Sequence, residues 1–327
     1  MTLDVAAPAN PRLGTRLFDF LLDYGLYVAL LVLVIGLSIA SPFFLTVNNL
    51  LNVGQAIAIV GIIAAAMTIA MIAGQLDLTV GSIVGLTAVI TAHLIVNEGQ
   101  SILVAAIVSL IAALAIGVVT GVLVVNVGIN SIIATLALGL AVRGLAFVVA
   151  EGQQITIADP AMSELVYARP LGIPVPVFVM AIIYTLAAVL MYWTKLGWHL
   201  YAVGGNESAA RRAGIPVDRL KRLVFLITSG CAALAGLILT ARASSGIGTY
   251  GTGLEFNVLT AVLLGGIGLA GGSGRIERTL AGVVLIGILT NGLTLINMPF
   301  YYQQIVYGIV FVAAVVLDAI RRKRRAR

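Results

Sequence analysis

The chain has 327 residues, 61% hydrophobic and only 10% charged, with a mean hydropathy of +1.11 and a formal net charge of +6. Soluble domains carry about 25% charged residues, so a soluble globular fold is excluded. Cys231 is the only cysteine, which excludes an internal disulfide and argues against a cysteine metal site.

Apolar runs near the ~20 residues that cross a hydrocarbon core as a helix recur along the chain. The N-terminus makes a poor signal peptide, because Asp4, Asp19 and Asp23 dilute its positive charge and the first apolar run is long enough to span. Residues 1–25 are therefore read as an N-terminal segment and the run after it as a retained anchor. Spans are expected near 26–44, 51–73, 79–96, 101–125, 131–150, 176–194, 223–242, 256–270, 279–297 and 303–320. An even number puts both termini on one side. If that side is the cytoplasm, it holds Arg12, Arg16, Lys195, Arg211, Arg212, Arg219, Lys221, Arg222, Arg275 and Arg278, plus the six basic residues between Arg321 and Arg327. Only Arg169 and Arg242 lie opposite, and Arg143 falls within a span. This is the positive-inside pattern, and it accounts for the net charge without nucleic acid. The tail 321–327 reads first as a stop-transfer and orientation signal, and otherwise as a lipid-headgroup patch.

Between the second and third spans lies Gly74-Gln75-Leu76-Asp77-Leu78-Thr79-Val80-Gly81-Ser82. Asp77 has two readings. Its carboxylate can cap a helix beginning near Leu78 by accepting from free amides. The segment can also be a polar break lining a solute path, since non-helical backbone at depth is tolerated only beside protein or water. Gly117 and Gly121 form a small-xxx-small pattern, read as close helix packing or as ordinary membrane-helix composition. Arg143 is costly at mid-span. It either snorkels to the outer interface near Glu151 or faces protein or water. Residues 151–175 form the longest external segment; Pro160, Pro170, Pro174 and Pro176 make it an irregular or short-helical cap.

One polar island interrupts the apolar chain: Gly204-Gly205-Asn206-Glu207-Ser208-Ala209-Ala210-Arg211-Arg212-Ala213-Gly214-Ile215-Pro216. Asn206 is a good N-cap, Glu207 suits the first turn, and Ala209 and Ala210 favour helix. Arg211 and Arg212 suit the last turn, Gly214 the left-handed position after it, and Pro216 blocks continuation. The sequence thus specifies a helix of about two turns, well under the ~12–15 residues at which an isolated helix is even marginal. Either the bundle surface or a cytoplasmic partner must hold it. Further on, Gly265 to Gly274 is a dense glycine run read as a tight cytoplasmic turn with close helix approach. No lysine follows a glycine anywhere, so there is no Walker-type phosphate loop. His93 and His199 are far apart, no catalytic motif is present, and no relay of acids and histidines runs through the spans.

The island and its flank Gly197-Trp198-His199-Leu200-Tyr201-Ala202-Val203 resemble the permease subunits of bacterial ABC sugar importers of the ribose/xylose/arabinose type. So do Asp77 to Ser82, Arg143-Gly144-Leu145, Gly265 to Gly274, Asn291-Gly292-Leu293 and Tyr301-Tyr302-Gln303, in order from about residue 20 to 320. The resemblance implies an all-α bundle of about ten transmembrane helices, of the type II ABC importer-like kind, spanning 26–320. It implies a bacterial cytoplasmic-membrane protein that moves a monosaccharide or small polyol inward. Expected partners are a cytoplasmic ATPase that binds the ATP and magnesium, a periplasmic sugar-binding protein, a second permease copy and membrane lipid. The chain itself is expected to hold no cofactor and to do no catalysis. Residues 195–222 match the coupling segment, with Gly205, Asn206, Glu207, Ala209, Ala210, Arg211 and Gly214 meeting the ATPase. Asp77, Leu78, Thr79, Gly81, Ser82, Arg143 and Asn291 match permease signature positions, with a possible place along the path. Two departures stand out. The signature more often reads Ile-Asp-Leu-Ser where this chain has Leu76-Asp77-Leu78-Thr79. Glu277-Arg278 stands where a glycine is usual, which weighs against close helix approach there and points to an altered docking face. A stand-alone secondary transporter or channel for a small neutral solute is the other reading, and a membrane-embedded enzyme a distant third.

Overall fold

A computed structural model describes residues 13–325. Residues 1–12, the first part of the expected N-terminal segment, and the last two residues of the basic tail lie outside the described residues. Thirteen α-helices are found among those described: α1 (Leu13–Ala40), α2 (Val47–Ile72), α3 (Val80–Val96), α4 (Ile102–Gly121), α5 (Ser131–Val149), α6 (Pro160–Tyr167), α7 (Val175–Trp193), α8 (Lys195–Gly205), α9 (Glu207–Arg212), α10 (Val217–Ala243), α11 (Leu254–Leu264), α12 (Ile276–Leu295) and α13 (Phe300–Arg325).

Seven of them are long and apolar enough to cross a membrane: α2, α4 with the π-turn that extends it, α5, α7, α10, α12 and α13. Shorter apolar helices, the part of α1 from Tyr24 to Ala40, α3 and α11, occupy the other three expected places. The expected span 256–270 is corrected. Only α11 is helical there, and its 11 residues reach about 16 Å, half the hydrocarbon thickness. The glycines after Leu264 leave the helix, because left-handed residues such as Gly266 (φ 85°) and Gly271 (φ 79°) cannot continue it. At the other end of the chain, α1 begins at Leu13, so helix already occupies part of the stretch read as an N-terminal segment.

α2, α3 and α10 form the centre of the bundle, and α4, α5, α7 and α12 pack around them. α2 is apolar on every side, so it is stable only when surrounded; its residues from Ile57 inward are nearly all buried. α4, equally apolar, leaves most of its surface outward, where lipid is the solvent. Small and hydroxyl side chains set the helix contacts. Gly117 and Gly121 face α10, where a Cβ on Gly117 would lie 2.8 Å from the Phe225 carbonyl, so the packing reading of that pair holds. Hydroxyl pairs Thr68–Thr279 (2.7 Å) and Thr91–Ser109 (3.0 Å) join α2 to α12 and α3 to α4.

The capping segment of residues 151–175 contains α6 and a short strand the sequence did not announce. β1 (Ile155–Thr156) pairs antiparallel with β2 (Ser245–Gly246), which follows α10. At the opposite end, Asp318 and Arg321 of α13 lie beside Gly268 and Gly266 of the glycine loop. That loop, α8, α9 and the end of α13 thus share one end of the bundle.

Candidate coupling and signature sites

The island is helix α9, bounded as its sequence dictates. Asn206 has extended backbone (φ −159°, ψ 98°) and closes two helices at once. Its N–H donates to the Ala202 carbonyl (3.0 Å) at the end of α8. Its side-chain oxygen accepts from the Ala209 N–H (2.9 Å) in the first turn of α9. At the far end Gly214 (φ 77°) turns the chain and the Ile215 N–H reaches back to the Ala210 carbonyl (3.1 Å).

Six residues cannot hold themselves as a helix, and α10 supplies the support. Glu207 accepts from Lys221 Nζ (2.6 Å) and from Arg211 (3.1 Å), and Arg211 continues to Asp218 (2.5 Å). This chain of four charges pins one face of α9 to the first turns of α10. Hydrogen bonds from Lys221 and Arg211 hold the Glu207 carboxyl below its ordinary range. The Asp218 and Glu207 carboxylates push the Arg211 guanidinium higher. Solvent screens these exposed pairs, so their effect is to orient the helix more than to stabilise the fold. Ala210 is buried, while Ser208, Ala209, Arg212 and Ala213 remain exposed on the outer face.

Behind α9 three backbones meet without side chains between them. A Cβ on Gly204 would overlap the Ile72 carbonyl oxygen at the end of α2 and lie 2.6 Å from the Gly272 nitrogen. Gly272 N–H donates to that same Ile72 carbonyl (2.8 Å). A Cβ on Gly271 would lie 2.9 Å from Gly74. Tyr201 of α8 adds a bond to the Gly274 carbonyl (2.8 Å), and burial raises its phenol pKa. The glycine run is therefore a turn, as expected, but its close approach is to α8 and the end of α2 as well as to α12. The Glu277–Arg278 departure does not prevent that last approach: a Cβ on Gly265 would lie 2.9 Å from the backbone of Arg278 and Thr279. Glu277 turns aside to Tyr192 (2.7 Å) and Arg275 (2.5 Å).

The junction leads directly into the signature. Past Gly74 (φ 73°), Leu76 N–H donates to Ser131 Oγ of α5 (3.3 Å) and Asp77 follows, fully buried. One Asp77 oxygen accepts from the Thr79 N–H (3.0 Å) and hydroxyl (2.5 Å); the other accepts from the Thr228 hydroxyl of α10. Asp77 thus satisfies the amide just ahead of α3, as a cap does, and also braces α3 to α10. Leu78, Thr79, Gly81 and Ser82 are buried beside it.

Two other signature residues lie elsewhere. Arg143 does not snorkel outward. Its guanidinium turns inward to the carbonyls of Gly248 (2.6 Å) and Tyr250 (2.5 Å) in the loop before α11. Carbonyls within the protein desolvate it less than lipid would, and the negative charge of Glu255 is nearby. Asn291 of α12 exchanges amide hydrogen bonds with Asn49 of α2 (2.8 and 3.0 Å). Sequence reasoning missed Glu255, Thr228, Asp218 and Lys221. Glu255 was signalled only as an acid heading an apolar run. Asp218 and Lys221 lie three apart on one helix face, but nothing local aims them at α9.

A family model described as "Branched-chain amino acid transport system / permease component" matches residues 49–315. The ribose import permease of Escherichia coli K12 is 40% identical over 311 residues, covering 93% of this chain and 97% of that protein. The ribose import permease of Bacillus subtilis 168 is 40% identical over 304 residues (92% and 93%). The L-arabinose transport system permease of Escherichia coli K12 is 34% identical over 319 residues (98% and 96%). No solved structure matches the chain. The match over most of its length shows that this chain belongs to the family of ABC-importer permease components, on the branch that contains the ribose and arabinose import permeases.

Proposed function

We propose that this chain is the membrane subunit of a bacterial sugar importer, carrying a monosaccharide or small polyol through the cytoplasmic membrane without catalysing a reaction itself. Both termini, α8, α9 and the glycine loop face the cytoplasm. Two copies, or one copy and a paralogue, form the pore. ATP and magnesium act in a separate cytoplasmic ATPase, and a periplasmic sugar-binding protein delivers solute from outside. The carrying observation is the placement of α9. Its outer face is exposed for a partner, while its inner face is ion-paired to α10 and joined through Gly204 to the end of α2. A push on α9 therefore reaches Asp77 through backbone contacts that have no side chain to absorb it. Few spans carry charge, which suits a neutral solute.

Mechanistically, nucleotide-driven closure of the ATPase displaces α9, and the junction converts that into reorientation of α2 and α3 against α10. The test is uptake of labelled D-ribose and L-arabinose in vesicles, with and without the ATPase and binding protein. Uptake that requires both partners and ATP is expected. Uptake by the chain alone, indifferent to ATP, would instead establish a stand-alone carrier.

A further inference from the structure

The ion chain of α9 and α10 forms one wall of a cavity of about 380 Å³. The second wall is the turn after α2, with Gly74 and Gln75, and the third is the stretch from the π-turn after α4 into α5, where Val124, Val125, Gly128 and Ile129 precede Asn130 and Ser131. The chemistry of this lining is specific. Gln75 and Asn130 offer amides, Ser131 a hydroxyl, and Glu207, Lys221 and the Arg211–Asp218 pair offer charges that cancel two against two. Facing the apolar side chains of Val124, Val125 and Ile129, this neutral set of donors and acceptors has no net pull on an ion. It matches a small uncharged ligand carrying several hydroxyls, and the volume, at the small end of ligand pockets, is that of a monosaccharide with a little water. Among its lining residues there is no aromatic ring to stack on a sugar face, so binding rests on hydrogen bonds exchanged with water and is weak.

Position adds a consequence. Leu76 N–H binds Ser131 Oγ, so the cavity sits against the segment that carries Asp77. A sugar held between Gln75, Asn130 and Glu207 would tie the α2–α3 turn to α9 and, through the Glu207–Lys221 pair, to α10, and the coupling mechanism moves α2 and α3 against α10.

We infer that this vestibule is a low-affinity exit site for the translocated monosaccharide, and that sugar bound there slows the next cycle. The inference rests on the sugar-importer reading. Proteoliposomes holding the full permease–ATPase complex, with binding protein outside and ATP inside, are preloaded with D-ribose or L-arabinose, against betaine as osmotic control. With luminal sugar at about ten times its dissociation constant, some 90% of vestibules fill and initial uptake falls about tenfold. Gln75→Leu, which replaces the amide with an apolar side chain, blunts that fall. A second readout does not depend on transport. In a Cys231→Ala background carrying Asn130→Cys, D-ribose or L-arabinose slows maleimide labelling of the complex, and betaine does not. ATP-driven uptake that luminal sugar leaves unslowed, inhibition undiminished in Gln75→Leu, or unprotected labelling overturns the exit site while leaving the importer reading intact. Absence of ATP-driven uptake of any monosaccharide overturns the importer reading itself.

Discussion

Asp77 shows how one carboxylate can fix a break in a membrane bundle. The helix before it ends at Ile72 and the next begins at Val80, so several backbone groups lack intrahelical partners. Asp77 takes up one of these amides and two hydroxyls, one of them from Thr228 on another helix. Removing that second hydroxyl leaves a buried carboxylate oxygen without its donor. Thr228→Val should therefore lower stability by about 1–3 kcal/mol. Thr68→Val should cost about 0.6 kcal/mol, since Thr279 can find another partner within its own helix. Equilibrium unfolding in mixed micelles measures both, and equal losses would show that Asp77 does not depend on Thr228.

At the scale of elements, α9 was legible and its surroundings were not. Cap, dipole and C-terminal glycine are local properties, so residues 206–214 specified the helix and its limits. What α9 rests on depends on Lys221 and Asp218, which become its partners only once α10 is placed beside it. The same holds for Arg143. Its charge announced a constraint, but the carbonyls that meet it come from residues more than 100 positions later. The β1–β2 pair joins segments similarly remote in sequence, Ile155 with Gly246, and two residues per strand leave no periodic signal. The glycine run announced close approach without naming the approaching chain. That junction makes an element-level prediction. Gly204→Ala forces a methyl into the Ile72 carbonyl, so it should destabilise the protein and separate ATP hydrolysis from uptake even where the ATPase still binds. Gly205→Ala meets nothing within 4 Å and has ordinary backbone at the last residue of α8, so it should leave stability unchanged or slightly raised. Thermal unfolding of the two neighbours separates the effects; a similar shift in both would remove the junction from the coupling route.

For the whole molecule, charge and geometry make independent statements about the same end. The positive-inside pattern puts the segment of residues 195–222, Arg275, Arg278 and the basic tail on one side. The fold brings α9, the glycine loop and the end of α13 together at one end, with α6 and the strand pair at the other. Neither needs the other: the first follows from how charged loops resist translocation, the second from packing. Their agreement is what the proposed orientation rests on, and accessibility tests it. In a Cys231→Ala background, Ser208→Cys on α9 is exposed and Ser163→Cys on α6 is partly exposed, and both suit a small impermeant thiol reagent. Intact cells stripped of any outer barrier should label Ser163→Cys at once and Ser208→Cys only after permeabilisation. The reverse order would place α9 outside, beyond any ATPase, and the importer mechanism would fail with it.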